Sequence, residues 1–259
     1  EPFVSVEGTW RLLSFVEGCT FTEVDSTSLA RVAGALAGRF HGAVSGFAHR
    51  FAFTREGAHD TARHLGKLAG LLDTHEVDEE TRSIAEAILA HGRSLAPLPA
   101  TRRRIVHGDL KITNLLFSEA GDEGLALVDL DTMAYGTLPV ELGDALRSWS
   151  NPRGESEVDT HCDPAIVEAA LEGFVEGAQG DVDAAELLAV PLGIETIATE
   201  LASRFAADAI EDCYFGWESA RFDSRAHHNR VRALSQLALA GSVARQKDDL
   251  DGISRRLLR

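Results

Sequence analysis

The amino-acid sequence predicts an α+β fold in which a few strands are followed by a mostly helical body. Residues 1–20 alternate between apolar and polar positions, which is typical of a β-hairpin. From Ser26 the apolar residues recur at helical spacing, and most of the remaining chain keeps that period. Two short apolar strands interrupt the helical pattern between residues 104 and 132. This order differs from the regular strand and helix alternation of a doubly wound sheet.

The opening hairpin is predicted to pair Phe3–Val6 with Thr9–Phe15, because a glycine separates two runs rich in Val, Trp, Leu and Phe. A cluster of Asp, Ser and Thr at residues 25–28 can then cap a helix. That helix is expected to end near His41 or Val44.

The chain beyond the first helix is predicted to be helical apart from the two-strand insertion. Residues 45–62 carry Gly and His and are expected to form a loop. Asp78 can cap a helix that ends near Gly92. Further helices are expected at 62–72, at 164–178, at 184–212 with a break near Pro191, and at 228–247.

The composition bounds the possible partners. With 259 residues, 44% of them hydrophobic, the chain can form one large domain or two small ones. Its 25 basic and 41 acidic residues give a formal charge of −16. That charge disfavours nucleic acid and anionic membranes as partners, whereas a small neutral or cationic molecule is compatible. Three widely spaced cysteines predict neither a disulfide framework nor a zinc module, which favours a cytoplasmic protein.

Phosphoryl-transfer chemistry is indicated by the segment VHGDLKITNLLF, residues 106–117. Such a reaction needs a group that orients the attacking hydroxyl and oxygen ligands for magnesium ions that bridge the phosphates. Asp109 can accept the hydroxyl proton, and Asn114 offers an amide oxygen to a metal. Asp129 ends the next apolar strand, 15 residues after Asn114, a spacing that suits a hairpin with SEAGDEG as its turn. The three side chains are therefore expected to meet at one point.

A resemblance to a known superfamily rests on these motifs. HGDLKITN followed by LVDLD resembles the catalytic segment of the aminoglycoside phosphotransferase and choline kinase superfamily. The runs VDLDTMAYGTLPVELGDALRS and RFAADAIEDCYFGWESARFDSRAHHNRVR resemble more narrowly the N-acetylhexosamine 1-kinase group. The resemblance implies a protein-kinase-like fold of the aminoglycoside phosphotransferase type. Residues 23–259 would form its mostly helical C-lobe, and residues 1–22 would be residual N-lobe strands and the hinge.

The resemblance implies roles for the residues of this segment. Asp109 would be the catalytic base, and Lys111 would lie near the transferred phosphate. Asn114 and Asp129 would be the ligands of Mg²⁺.

Three neighbouring polar residues would support them. The resemblance implies that His107 braces the loop through hydrogen bonds and that Asp144 anchors the loop backbone from the following helix. Asp131 has two interpretations. It is either a further carboxylate at the metal site or a polar residue at a strand end.

The stretch RLLSFVEG, residues 11–18, looks like the last strand of a nucleotide-binding lobe where it enters the hinge. The resemblance implies that adenine bonds the carbonyl of Ser14 and the amide of Val16, with Leu13 as the gatekeeper. The alternative is an ordinary edge hairpin, which the segment taken alone favours.

The resemblance also implies an acceptor site made by Thr132, Arg204, Tyr214 and Trp217, with Asp109 facing the reacting hydroxyl. Aromatic faces stack on the apolar faces of sugar rings, while Arg and Thr bond hydroxyl groups. For the two aromatic residues the alternative is core packing at a helix end.

Two other polar clusters are not expected to bind a metal. His59, Asp60 and His64 are interpreted as a partly exposed loop cluster, with a substrate-side role for His59 left open. DTHCD, residues 159–163, is a consecutive run and cannot form a tetrahedral ligand set by itself.

The predicted function is the ATP- and Mg²⁺-dependent phosphorylation of a small-molecule hydroxyl, foremost on a sugar or amino sugar, with the anomeric hydroxyl as one option. The alternatives are a non-catalytic, pseudokinase-like binding module or fragment and an aminoglycoside- or choline-type kinase. Kinases also use a phosphate-covering loop and a Lys–Glu pair, for which residues 1–13 have no place. The N-lobe is therefore expected from a segment preceding Glu1 or from another polypeptide.

Overall fold

The computed structural model describes residues 3–5, 9–11, 13–55 and 57–259. Over these residues the order of elements confirms the predicted α+β class, with short strands and a predominantly helical body. The strands are β1 (Phe3–Ser5), β2 (Thr9–Arg11), β3 (Arg103–Val106), β4 (Leu115–Phe117), β5 (Gly124–Leu127) and β6 (Ala134–Thr137). The helices are α1 (Thr27–Ala43), α2 (Thr61–Thr74), α3 (Glu79–Ser94), α4 (Leu138–Trp149), α5 (Pro164–Ala178), α6 (Ala184–Leu188), α7 (Val190–Glu211), α8 (Arg225–Arg245) and α9 (Lys247–Arg256).

The strands pair as three separate antiparallel ribbons within the described residues: β1 with β2, β3 with β6, and β4 with β5. The β4–β5 ribbon is the hairpin that the sequence predicts. β6 is a strand that the sequence analysis misses. Its sequence, AYGT, has little apolar alternation, and it becomes a strand through pairing with β3, whose Ile105 lies opposite Tyr135.

The N-terminal hairpin is shorter than predicted. The sequence predicts a second strand that reaches Phe15, but β2 ends at Arg11, and residues 13–18 have no regular secondary structure. An extended segment needs a neighbouring strand for its N–H and C=O groups. In the described part of the chain, no strand pairs with residues 13–18. The predicted end of the first strand, Val6, lies outside the described residues.

Helices α1 and α5 form the centre of the larger hydrophobic core and approach each other closely through glycine. A Cβ atom added to Gly34 would lie 1.9 Å from the carbonyl oxygen of Ala170. One added to Gly173 would lie 2.0 Å from the carbonyl oxygen of Arg31. Only a residue without a side chain allows the two backbones to approach this closely.

A second hydrophobic core joins α2 and α3 to α7 and α8. Leu68, Ile88, Phe205 and Ala233 are among its buried members. The predicted break near Pro191 is confirmed, because α6 ends before it and α7 begins with this proline in its first turn. None of the helices described here has the length and apolar character required to cross a bilayer.

Candidate active site

The loop between β3 and β4, residues 107–114, brings three predicted site residues together. The Nζ atom of Lys111 lies 2.9 Å from Oδ2 of Asp109. The side-chain amide nitrogen of Asn114 donates to the same Oδ2 atom, at 3.1 Å, and to the backbone oxygen of Asp109, at 2.9 Å. Asp109 is therefore held by one charged and two neutral donor contacts in a fixed orientation.

The β4–β5 hairpin places Asp129 next to this loop. Leu115 pairs with Leu127, and the amide of Val128 donates to the backbone oxygen of Asn114 at 2.9 Å. Asp129 follows directly and adopts a left-handed conformation, with φ 61° and ψ 55°. Asp tolerates this conformation better than most residues, so the chain can turn sharply while the carboxylate stays exposed.

His107 braces the loop against the end of β5, as predicted. Its Nε2 atom lies 3.0 Å from the carbonyl oxygen of Val128, which can only accept, so the ring donates this hydrogen bond. The hydroxyl of Thr132 donates to the backbone oxygen of His107 at 2.8 Å. The buried imidazole thus joins the strand before the loop to the turn that carries Asp129.

The loop backbone is anchored by Glu141 and not by Asp144, which corrects the prediction. Oε1 of Glu141 accepts from the amide of His107 at 2.7 Å, and Oε2 accepts from the amide of Gly108 at 2.9 Å. Asp144 instead accepts two hydrogen bonds from the guanidinium of Arg147. The two acids lie almost one helical turn apart on the same face of α4, so their spacing alone cannot say which one meets the loop.

Glu141 is buried and carries its charge there. Nε2 of His41 on α1 lies 3.5 Å from Oε1 of Glu141, and both side chains are sealed from solvent. Burial by itself raises the pKa of Glu141. The contact with His41 and the hydrogen bonds from the amides of Gly108 and His107 lower it by more, so the net pKa lies below its usual value. A charged carboxylate therefore holds the loop.

A cleft of about 1510 Å³ opens beside Asp109. The predicted acceptor residues come from distant parts of the sequence, and all of them line this cleft. They are Asp109, Thr132, Arg204, Tyr214 and Trp217.

The aromatic wall of the cleft lies in the segment after α7. Tyr214 is 68% exposed, which excludes core packing as its role, whereas Trp217 is partly buried. Arg204 packs its guanidinium 5.6 Å from the ring centroid of Phe215. The hydroxyl of Thr132 already donates to the loop backbone, so towards an acceptor it can offer only its lone pairs.

Asp208 shapes this wall, although the sequence analysis does not single it out. Its buried carboxylate accepts from the consecutive amides of Cys213, Tyr214 and Phe215, at 3.0, 2.7 and 2.9 Å, and from the side chain of Asn229 at 2.8 Å. Burial raises the pKa of Asp208, but these four donors outweigh burial and lower it overall. The only sequence signal is an acid shortly before an aromatic cluster.

Most of the chain matches a known family. Residues 4–179 match the sequence model described as the phosphotransferase enzyme family. The chain belongs to this phosphotransferase family.

Solved structures similar to the phosphotransferase define its fold. A choline kinase from Cryptosporidium parvum has a TM-score of 0.56 and 11% identity, over 95% of this chain and 74% of that chain. An aminoglycoside phosphotransferase from Alicyclobacillus acidocaldarius has a TM-score of 0.56 and 17% identity, over 96% and 75%. The ADP-bound aminoglycoside phosphotransferase APH(2'')-Ib has a TM-score of 0.53 and 15% identity, over 93% and 75%. The predicted kinase-like fold of the aminoglycoside phosphotransferase type is confirmed.

The donor set of the phosphotransferase fits a magnesium ion. The side-chain nitrogen of Asn114 donates to Asp109, which leaves the amide oxygen available to a metal, and the backbone hydrogen bond from Val128 to Asn114 places Asp129 in the adjoining turn. No group of three or more His, Cys, Asp or Glu residues could hold a metal within the described ranges. Mg²⁺ commonly takes one or two protein oxygens and completes its shell with phosphates and water. Asp131 is exposed in the turn after Asp129, and its role stays a prediction.

The predicted hinge residues lie away from the large cleft of the phosphotransferase. Leu13 is 72% exposed, and Ser14 and Val16 are also exposed. The segment then joins the active-site hairpin, because Cys19 and Phe117 exchange two backbone hydrogen bonds of 2.9 and 2.8 Å. Nucleotide binding by this segment stays a prediction.

Proposed function

We propose that this phosphotransferase transfers the γ-phosphoryl group of ATP to a hydroxyl of a sugar or amino sugar in a Mg²⁺-dependent reaction. The observation that carries this proposal is the position of Asp109, fixed by Asn114 and Lys111 at the edge of a cleft lined by Tyr214 and Trp217. A carboxylate beside a cleft with an aromatic wall suits a hydroxyl nucleophile on a sugar ring.

Each of the site residues has a separate role in the proposed reaction. Asp109 accepts the proton of the acceptor hydroxyl while the acceptor oxygen bonds the γ-phosphorus, and the bond from that phosphorus to the leaving ADP oxygen breaks. Lys111 faces the transferred group. Asn114 and Asp129 would hold Mg²⁺, which supplies positive charge against the phosphate oxygens.

An aminoglycoside- or choline-type acceptor is a second candidate. Two of the structural neighbours are described as a choline kinase and an aminoglycoside phosphotransferase. Carboxylates of Asp144 and Glu218 also line the cleft, and they suit an acceptor that carries ammonium groups. The aromatic pair and Arg204 favour the sugar.

A nucleotide-binding lobe completes the enzyme in this proposal. Kinases clamp the phosphates with a loop and a Lys from strands before the hinge. We infer that such a lobe, from further chain or another polypeptide, covers the exposed apolar side chains of Leu13, Phe15 and Val16. A cytoplasmic location, where ATP is available, fits this reaction.

The test is Mg²⁺-dependent ATP turnover by the full gene product with an N-acetylhexosamine, a neutral hexose, choline and an aminoglycoside as acceptors. Turnover with one sugar class is expected, and Asp109→Asn should lower kcat by roughly 10²- to 10⁴-fold. Glu119→Gln, in the exposed hairpin turn, is the matched control and should keep wild-type activity. No turnover with any acceptor and no Mg²⁺-dependent nucleotide binding would favour the non-catalytic binding module.

A further inference from the structure

A histidine–glutamate pair lies in the wall of the cleft, apart from the residues assigned above. Glu200 on α7 is 1% exposed, and both of its carboxylate oxygens are engaged. The hydroxyl of Thr61, at the start of α2, donates to Oε2 at 2.8 Å. Nδ1 of His59 lies 3.2 Å from Oε1. The pair is therefore built by two separate parts of the chain, residues 59–61 and helix α7.

The contact with Glu200 determines how the imidazole of His59 is oriented. An ionised carboxylate can only accept, so Nδ1 of His59 carries a proton and donates it. Nε2 is then the nitrogen available to a ligand. His59 and Glu200 line the same cleft as Asp109, and the His59 side chain is 28% exposed. The ring thus reaches the cleft while its carboxylate partner is sealed behind it.

The charges around His59 favour its protonated form. Burial by itself lowers the pKa of His59. The hydrogen bond that His59 donates to Glu200 and the negative charges of Glu200 and of Asp144 on α4 raise it. They outweigh burial and the opposing charge of Arg204, so the net pKa lies above its usual value. These are the charged groups that face the ring from α7 and α4.

We propose that His59 binds the acceptor by donating Nε2–H to an acceptor oxygen, with Glu200 and Thr61 as positioning residues. This inference rests on the proposed function and sharpens it. An imidazolium beside Arg204 attracts hydroxyl or anionic oxygens and repels an ammonium group at the same point. The subsite therefore selects an oxygen-rich acceptor, such as a sugar, over a polycationic one.

The first experiment removes the ring. For His59→Ala and His59→Gln we expect the KM of the sugar acceptor to rise roughly 10- to 100-fold, the effect of losing a charged hydrogen bond. The KM of ATP should stay within about twofold, because His59 is proposed to contact the acceptor and not the nucleotide. His75→Ala is the matched control, since His75 lies at the exposed opposite end of α2 and not in the cleft.

The second experiment separates binding from a merely structural role. Glu200→Gln keeps a hydrogen-bond acceptor for Nδ1 but removes the charge, so the basic limb of the acceptor kcat/KM profile should move to lower pH. The ring of His59, followed by ¹⁵N nuclear magnetic resonance, should titrate at lower pH in this variant. A residue that only supports the fold would show the changed titration in the nuclear magnetic resonance spectrum but would leave the kcat/KM profile in place.

The outcomes distinguish this inference from the proposed function. An active enzyme whose acceptor KM is unchanged in both His59 variants overturns the role of His59 and leaves the kinase function intact. If the wild type phosphorylates none of the four acceptors, calorimetric binding of the N-acetylhexosamine and the hexose is measured instead. Binding that weakens in His59→Ala supports the subsite without catalysis, and no binding of either sugar to the wild type rejects both proposals.

Discussion

The carboxylate of Glu141 lies 2.7 Å from the backbone nitrogen of His107, 34 positions earlier in the chain. Its other oxygen accepts from the amide of Gly108, the residue before Asp109. Through these contacts α4 determines where the loop presents Asp109. Nε2 of His41 from α1 lies 3.5 Å from the same carboxylate, so the loop is tied to the centre of the larger core.

Replacing this anchor should harm both stability and activity. Glu141→Gln places an amide group opposite two backbone N–H donors and leaves His41 without a charged partner, so we expect a loss of about 2–4 kcal/mol in the free energy of unfolding. kcat should fall more than the KM of either substrate, because Asp109 loses its orientation. Urea unfolding and steady-state kinetics measure the two effects. Glu119→Gln should change the stability by less than about 0.5 kcal/mol.

The advantage of the wild type over Glu141→Gln should depend on pH. Because the pKa of Glu141 is lowered in the folded state, its contribution is fully present above the unfolded value of about 4.3. It is lost as the pH falls through the folded pKa. The difference in unfolding free energy should therefore be constant from pH 6 to pH 8 and shrink below about pH 4. An equal difference at acidic and neutral pH would show that the Glu141 charge is not what stabilises the loop.

Asp129 should control the magnesium requirement. Asp129→Asn keeps an oxygen at the tip of β5 but removes its charge, so the Mg²⁺ concentration for half-maximal activity should rise roughly 10-fold or more. Excess Mg²⁺ should restore part of the activity, which it should not do for Asp109→Asn. Asp122→Asn, in the turn of the same hairpin, is the control and should titrate like the wild type. An unchanged requirement in Asp129→Asn would argue against Asp129 as a ligand.

Asp208 should affect the acceptor and not the nucleotide. In the wild type, three backbone N–H groups donate to the carboxylate of Asp208. Asp208→Asn replaces one carboxylate oxygen with an amide group, so the segment that carries Tyr214 should lose its fixed position. We expect the acceptor KM to rise roughly 10-fold and the ATP KM to stay unchanged. Kinetics with both substrates varied provide the measurement. Equal increases in both KM values would point to general unfolding.

The glycines between α1 and α5 should be intolerant of any side chain. Gly34→Ala drives a Cβ atom into the backbone of α5, so the free energy of unfolding should fall by about 2 kcal/mol or more. Gly66→Ala is the matched control, because Gly66 lies in α2 with no atom near its added Cβ. That variant should gain about 0.5–1 kcal/mol from helix propensity. Urea denaturation of both proteins tests the pair, and equal effects would contradict the close approach of the helices.

Local pattern accounts for much of the site. Asp109 and Asn114 lie in one loop, and the ladder of a single hairpin brings Asp129 beside them, so spacing and turn chemistry suffice to predict their meeting. The sequence does not predict strand β6, because this segment becomes a strand only by pairing with β3, which is distant in the sequence. β2 ends before the predicted Phe15 because, among the described residues, no strand pairs with residues 13–18.

The α+β class, the loop of residues 107–114 and the β4–β5 hairpin can be predicted from the sequence alone. They follow from periodicity, capping and spacing over a few residues, because these local features determine the secondary structure that a short segment adopts. The sequence does not predict that Glu141 anchors the loop, that Asp208 positions the segment after α7 or that Glu200 bonds His59. Each of these contacts depends on how one helix is rotated and placed against a distant segment, and packing of the whole core sets that rotation.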